Sequence, residues 1–207
     1  MVKKIRRRAD VHRDSNGFTL VELIVVLVIL AILAAILIPA LLGYIDRAKG
    51  QQLMLNGKSA LNAAQSVAVQ GYAKGNKKVR DYFIDGAKYA PIKETMKIAD
   101  TPAPSGFIFG MAAEGDYYAQ NKAAKADSHD AWTVKRLIYW EGDYKRDTPV
   151  AYFDGEVWHT DMTYREAIQE LYGKGEFYRA MKNSSGNISA YSMWSLSDSL
   201  YTDVTLP

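Results

Sequence analysis

From Leu23 to Ile38 the chain carries no polar side chain, and beyond Pro39 the apolar run continues through Ala40, Leu41 and Leu42. Twenty such residues predict a helix about 30 Å long, the thickness of a bilayer's hydrocarbon core. From Gly43 to about Ala73 polar residues are interleaved and the helical period persists. One seam, Gly43, Arg47, Gly50, Met54, Gly57, Leu61, Ala64, Ala68 and Gly71, advances by alternating steps of four and three. These positions share one side of a helix, and apart from Arg47 they are small or apolar. A glycine inside a helix costs about 1 kcal/mol relative to alanine. Gly50 and Gly57 therefore mark either a close approach by a sheet or neighbouring subunit, or a flexible helix. Gly75-Asn76-Lys77-Lys78 ends the segment.

Beyond residue 78 the pattern breaks into shorter pieces. Pro91 to Ala99 has helical composition with proline at its start. Residues 100–106 read as a loop and Phe107 to Met111 as a strand, while Ala119 to Asp130 is readable as helix or loop. Trp132 to Trp140 is rich in β-branched and aromatic residues. Val150–Phe153 and Glu156–His159 flank Asp154-Gly155, a strong hairpin signal. Thr163-Tyr164-Arg165-Glu166 predicts a capping box opening a helix to about Tyr172. Ala190 to Leu196 is a candidate last strand in a tail rich in Ser, Asn and Tyr.

Charge sharpens the division. The chain has a net charge of +3, but six basic residues against two acidic ones give residues 1–17 a charge of +4. The remainder holds 20 basic and 21 acidic residues, or −1. No nucleic-acid footprint survives outside the leader. Basic residues before an apolar run hold the N-terminus in the cytoplasm and send the C-terminus outward. A secretory signal peptide fits poorly, because its apolar region spans 7 to 15 residues and does not begin with a carboxylate.

That carboxylate is Glu22, which ends Gly17-Phe18-Thr19-Leu20-Val21-Glu22 immediately before the apolar run. A charge there costs several kcal/mol unless it is paired or reaches the headgroups. The hexapeptide, the basic leader and the apolar run together resemble the type IV prepilin cleavage motif, and Pro39 stands where that family has its helix-kinking proline. The resemblance implies that a prepilin peptidase cuts the Gly17–Phe18 bond and N-methylates the new amine of Phe18. It also implies that Glu22 is needed for assembly. A cationic Phe18 amine and Glu22, four residues on, are then able to neutralise each other in an apolar filament core. Two departures from the family are Ala31, where many members carry glycine, and the absence of cysteine. Many Gram-negative pilins close their C-terminal region with a disulfide, so its absence points towards a Gram-positive host.

The expected fold is therefore α+β and pilin-like, a long N-terminal helix packed against a small antiparallel sheet. Its parts are a leader (1–17), a transmembrane and filament-core half-helix (18–42), an amphipathic half-helix (43–74) and a head (75–207) with its sheet around 132–159. The expected function is a non-enzymatic subunit of an extracellular filament. Its partners would be other copies of itself, the membrane before assembly, the prepilin peptidase, and an assembly platform protein with its ATPase. The precursor would be a single-pass protein of the cytoplasmic membrane and the product a surface filament. Alternatives are a type II secretion or competence pseudopilin, or an uncut membrane-anchored binding domain.

No cofactor or metal site is expected. His12, His129 and His159 lack metal-ligand spacing, and no cysteine assists them. His159 beside Asp161 reads as a strand-end histidine. Ser197-Asp198-Ser199 has no base at a readable distance, and Asp143 with Asp147 lacks the oxygen-rich cluster that calcium requires. Fourteen tyrosines and four tryptophans suit a sheet core and subunit interfaces better than an adhesive surface.

Overall fold

A computed structural model describes residues 17–76, 78–84, 89–112, 129–171 and 176–194. The first helix, α1 (Leu20–Ala73), spans 54 residues and is continuous through Pro39. Proline has no N–H to offer the carbonyl of Ala35 four residues earlier, so one rung of the ladder is missing there. The helix ends where expected. Gly75 adopts φ +79°, a left-handed conformation cheap for glycine, and Asn76 Nδ2 donates to the carbonyl of Gly71 at 2.8 Å. The chain divides into two units, Met1–Ile45 and Asp46–Pro207.

In the first unit the described residues are helical from Leu20, and their apolar side chains are exposed throughout. This is the one helix, among the described residues, long and apolar enough to cross a membrane.

The second unit is built on a six-stranded antiparallel sheet. Its strands are β1 (Ser105–Met111), β2 (Val134–Glu141), β3 (Pro149–Phe153), β4 (Trp158–Thr163), β5 (Glu176–Lys182) and β6 (Ile188–Trp194), in the order β4-β3-β2-β1-β5-β6. Three helices accompany it: α2 (Val79–Ile84), α3 (Ala90–Ala99) and α4 (Tyr164–Leu171). Period-two alternation sends successive side chains of β1 to opposite faces. Phe107 and Phe109 meet the 46–73 part of α1 together with α2 and α3, whereas Ile108 joins Ile138, Trp140, Val150 and Phe177 under α4. All seven residues of β1 are buried, as a central strand covered on both faces requires.

The α1 seam closes on this sheet through small residues. Gly57, Ala60, Ala63, Ala64, Val67, Ala68 and Gly71 are buried. A Cβ on Gly57 would stand 2.7 Å from Trp158 Cζ3, and one on Gly71 would stand 2.6 Å from both Trp132 and Tyr82. Close approach is thus the reason for these glycines. Polar clips fix the register. Asn56 Nδ2 donates to Glu141 Oε1 at 2.6 Å, and Ser59 Oγ donates to the carbonyl of Ala99 at 2.7 Å. Gln65 bonds both ways, donating to the carbonyl of Trp132 at 2.9 Å and accepting from the N–H of Val134 at 2.8 Å. Tyr139, buried and beside Glu141, has its phenol pushed well above the usual tyrosine range by burial first and by the neighbouring carboxylate second.

The sheet is larger than its sequence signal. The segment Glu-Phe-Tyr-Arg-Ala-Met-Lys of β5 is composed largely of helix formers, and pairing between β1 and β6 overrides that preference. On its α4-side face Arg179 is only 6% exposed and lies over the ring of Tyr144 at 4.3 Å, a cation–π contact. The β3–β4 hairpin forms, but strand β4 begins at Trp158 instead of Glu156. Asp154 Oδ1 accepts from the N–H groups of both Glu156 and Val157 at 2.8 Å, which widens the turn beyond Asp154-Gly155. Most of Ala119 to Asp130 lies outside the described residues.

Candidate processing site

The start of α1 is organised by three hydrogen bonds between two side chains and their backbones. Thr19 N and Thr19 Oγ1 both donate to Glu22 Oε2, at 2.9 Å and 2.6 Å. The N–H of Glu22 donates back to Thr19 Oγ1 at 3.2 Å. The carbonyl of Thr19 accepts the first helical bond, from Leu23 N at 3.2 Å. This is a capping box, with Thr19 as N-cap and Glu22 at the third helical position. The acid also stands at the positive end of the helix dipole.

Upstream of the cap the chain is not helical. Phe18 is 88% exposed, and no atom lies within 4 Å of where a Cβ on Gly17 would be. The Gly17–Phe18 bond is thus in open, non-helical backbone immediately before a defined helix start.

The structure brings Gly17, Phe18 and Glu22 together within the first turn of α1 and its approach, and places Pro39 near the far end of the apolar run. Thr19 is the residue that sequence reading passed over. The signal was present, since Thr19-Leu20-Val21-Glu22 has the same form as Thr163-Tyr164-Arg165-Glu166. There the box also closes, with Thr163 N and Oγ1 each 2.8 Å from Glu166 Oε2.

The remaining candidates are scattered. His159 Nε2 contacts Asp154 Oδ2 at 2.8 Å, not Asp161, and its ring stacks on Tyr152. Three groups on that hairpin, two backbone N–H donors and one imidazole, hold the Asp154 carboxyl below its usual range, the imidazole contributing most. His129 makes a 3.9 Å contact with Asp130 and an edge-on contact with Tyr72. Among the described residues no cluster of three metal-ligating side chains occurs. Trp132, Trp140, Tyr139, Tyr164 and Tyr178 are fully buried, which places those aromatics in the core. His12 and Ser197–Ser199 lie outside the described residues.

Comparison with known proteins returns one finding, placed on this segment. The family model of the prokaryotic N-terminal methylation motif matches residues 12–38. No curated protein and no solved structure matches the chain. Residues 12–38 contain Gly17, Phe18, the capping box and most of the apolar run, so the matched motif and the local geometry coincide. The chain carries the prepilin-type signal of type IV pilins and pseudopilins.

Proposed function

We propose that the chain is the precursor of a structural subunit of a type IV pilus-like filament, without catalytic activity of its own. A membrane-bound prepilin peptidase hydrolyses the Gly17–Phe18 bond, removing residues 1–17, and then N-methylates the amine of Phe18. Residues 18–42 anchor the precursor in the membrane with the N-terminus inside. They later form the filament core, where helices of neighbouring copies replace lipid. The 43–74 half-helix and the head that follows it form the outside of the filament. A platform protein and its ATPase lift the subunit from the membrane.

One observation carries this reading: the methylation motif lies over an exposed, non-helical Gly17–Phe18 bond that is followed within four residues by a lone carboxylate at the head of an apolar helix whose described side chains are exposed. A plain membrane anchor would use Glu22 only as the acceptor of its capping box, and burying the charge unpaired is costly. Cleavage creates its partner, because the new Phe18 amine is cationic and close by. In an apolar core the pair is tolerable and each member alone is not. The pair forms within one helix or between neighbours; where the amine is a neighbouring copy's, a misplaced subunit leaves both unpaired, which makes the pair a register lock.

Intact mass and N-terminal sequencing of the protein from its native envelope test the reading. A chain beginning at Phe18 and heavier by one methyl group is the expected result. A chain retaining residues 1–17 in cells with active prepilin peptidase would overturn it and favour the uncut, membrane-anchored binding domain. Glu22→Ala subunits that polymerised normally would remove the register lock.

A further inference from the structure

The hydrogen bonds at the start of α1 give Glu22 a task before any amine exists, and that task needs no charge. The hydrogen bonds its carboxylate makes among the described residues fall on Oε2, which receives both the N–H and the O–H of Thr19. We propose that Thr19 is a positioning residue for processing: its capping box with Glu22 stops the helix at Leu20 and so keeps the Gly17–Phe18 bond in non-helical chain, where a peptidase can bind it. This rests on the reading that the bond is the cleavage site.

The sequence upstream explains why a stop is needed. Asp14, Ser15 and Asn16 are all good N-cap types. Any of them would start the helix early and carry Gly17–Phe18 into its first turn. Such a bond would lie within the helix, with the Gly17 carbonyl drawn into its ladder as acceptor of the Val21 N–H. None of the three has Glu or Gln three residues later, since those positions hold Gly17, Phe18 and Thr19. Thr19 does, in Glu22. The reciprocal box therefore selects Thr19 over its three upstream competitors.

The box asks of Glu22 only an acceptor oxygen, and a glutamine supplies one. Pairing with the Phe18 amine after hydrolysis asks for the negative charge. The two tasks are thus separable by substitution: Glu22→Gln keeps the first and loses the second. Glu22→Ala loses both, Thr19→Val loses the first, and Thr19→Ser restores it. In the hydrolysis itself water adds to the carbonyl carbon of Gly17, the C–N bond breaks, and the proton balance leaves a Gly17 carboxylate and a Phe18 ammonium. Neither Thr19 nor Glu22 exchanges an atom.

The experiment uses the full-length precursor in phospholipid nanodiscs, with two readouts. Amide exchange and backbone chemical shifts over residues 14–23 report where the helix begins, whether or not cleavage occurs. Mass spectrometry after adding purified prepilin peptidase gives the cleavage rate. Expected are a helix start displaced towards Asn16 and cleavage slowed about fivefold for Thr19→Val, the factor that a typical N-cap loss gives. Glu22→Ala should behave alike, and the double variant should be no slower than either single one, because the two side chains act as one unit. Thr19→Ser and Glu22→Gln should match the wild type in both readouts, with Glu22→Gln failing later, at polymerisation. Slow cleavage of Thr19→Val beside normal cleavage of Glu22→Ala would overturn the proposal, since Thr19 would then be touching the peptidase directly. An unmoved helix start in Thr19→Val would overturn it as well. Failure of the wild type to be cut at Gly17–Phe18 would instead sink the processing reading, leaving the exchange data to decide the cap.

Discussion

Between Leu20 and Ile45, α1 exposes Leu, Ile and Val on every side, whereas between Asp46 and Ala73 it buries one narrow seam made almost wholly of glycine and alanine. Backbone conformation is the same in both halves. What differs is where the covering surface comes from. The second half is covered within its own unit, where Trp158 of the sheet approaches Gly57, and Trp132 and Tyr82 approach Gly71, so closely that neither has room for a methyl group. The first half carries large apolar side chains that are exposed among the described residues, a surface suited to lipid or to other copies. Small residues therefore mark an interface completed in the monomer, and large exposed ones mark an interface still to be made.

The strongest way to break that contrast is to place a carboxylate in each half. Ala64→Glu puts a charge where the residue is wholly buried against the sheet core, and should cost 3 kcal/mol or more, enough to unfold the head of many domains. Leu33→Asp lies in the middle of the apolar run and should leave the head's thermal unfolding unchanged. It should instead weaken membrane insertion by about 3 kcal/mol, read as loss of the protein from the membrane fraction. If Leu33→Asp lowered the head's melting temperature, the two halves would not be independent.

A smaller effect follows from the glycines. Gly71→Val would drive its side chain into the buried Trp132 ring and Tyr82, and should destabilise the head by about 1–3 kcal/mol despite the better helix propensity. Gly43→Ala meets nothing within 4 Å. It should strengthen its turn of helix by up to about 1 kcal/mol, seen as slower amide exchange around residue 43, with no change in head stability. Equal effects at the two positions would mean that both glycines serve flexibility.

These positions also show what the sequence could and could not convey. The seam was legible because a 3–4 spacing of small residues has one simple reading, and the burial of Gly57, Ala64, Ala68 and Gly71 agrees with it. Its upper end was not, since Gly43 continues the period while facing nothing. The β3–β4 hairpin and α4 announced themselves through turn and cap residues. Strand β5 did not, because Arg179, Ala180 and Met181 favour helix and only pairing on both sides makes them extended. At the candidate processing site Gly17, Phe18 and Glu22 are recognisable as a motif. Thr19 was missed because the resemblance drew attention to the charge on Glu22 and away from its neighbour three residues earlier.

The two capping boxes offer a finer comparison. Thr163→Ala removes the cap of α4, a helix that buries Tyr164, Ala167, Ile168 and Leu171 against the sheet. It should cost about 1 kcal/mol and lower the head's melting temperature by about 3 °C. The same change at Thr19 should leave that temperature untouched, because Thr19 caps a helix end that belongs to the other unit.

Acid gives the smallest and most selective contrast. From Leu23 to Leu42 there is no titratable side chain, so that stretch gives no pH response to set against the head's. Asp154 is the clearest source of the latter. The imidazole of His159 and the N–H groups of Val157 and Glu156 favour its ionised form, and its folded pKa lies below the ordinary value of 3.8. A depressed carboxyl contributes stability that is fully present above its unfolded pKa and is lost as pH falls through the folded one. The wild-type head should therefore hold its melting temperature down to about pH 4 on account of this group, and lose part of it below. In Asp154→Asn the side-chain oxygen still accepts the two backbone N–H bonds, but there is no charge to protonate. Its melting temperature should lie below the wild type's at neutral pH, with the gap narrowing as pH drops under about 4. A gap that stayed constant from pH 7 to pH 2 would mean that the ionised form of Asp154 adds nothing to the turn, and that its hydrogen-bond geometry alone holds the β3–β4 hairpin together.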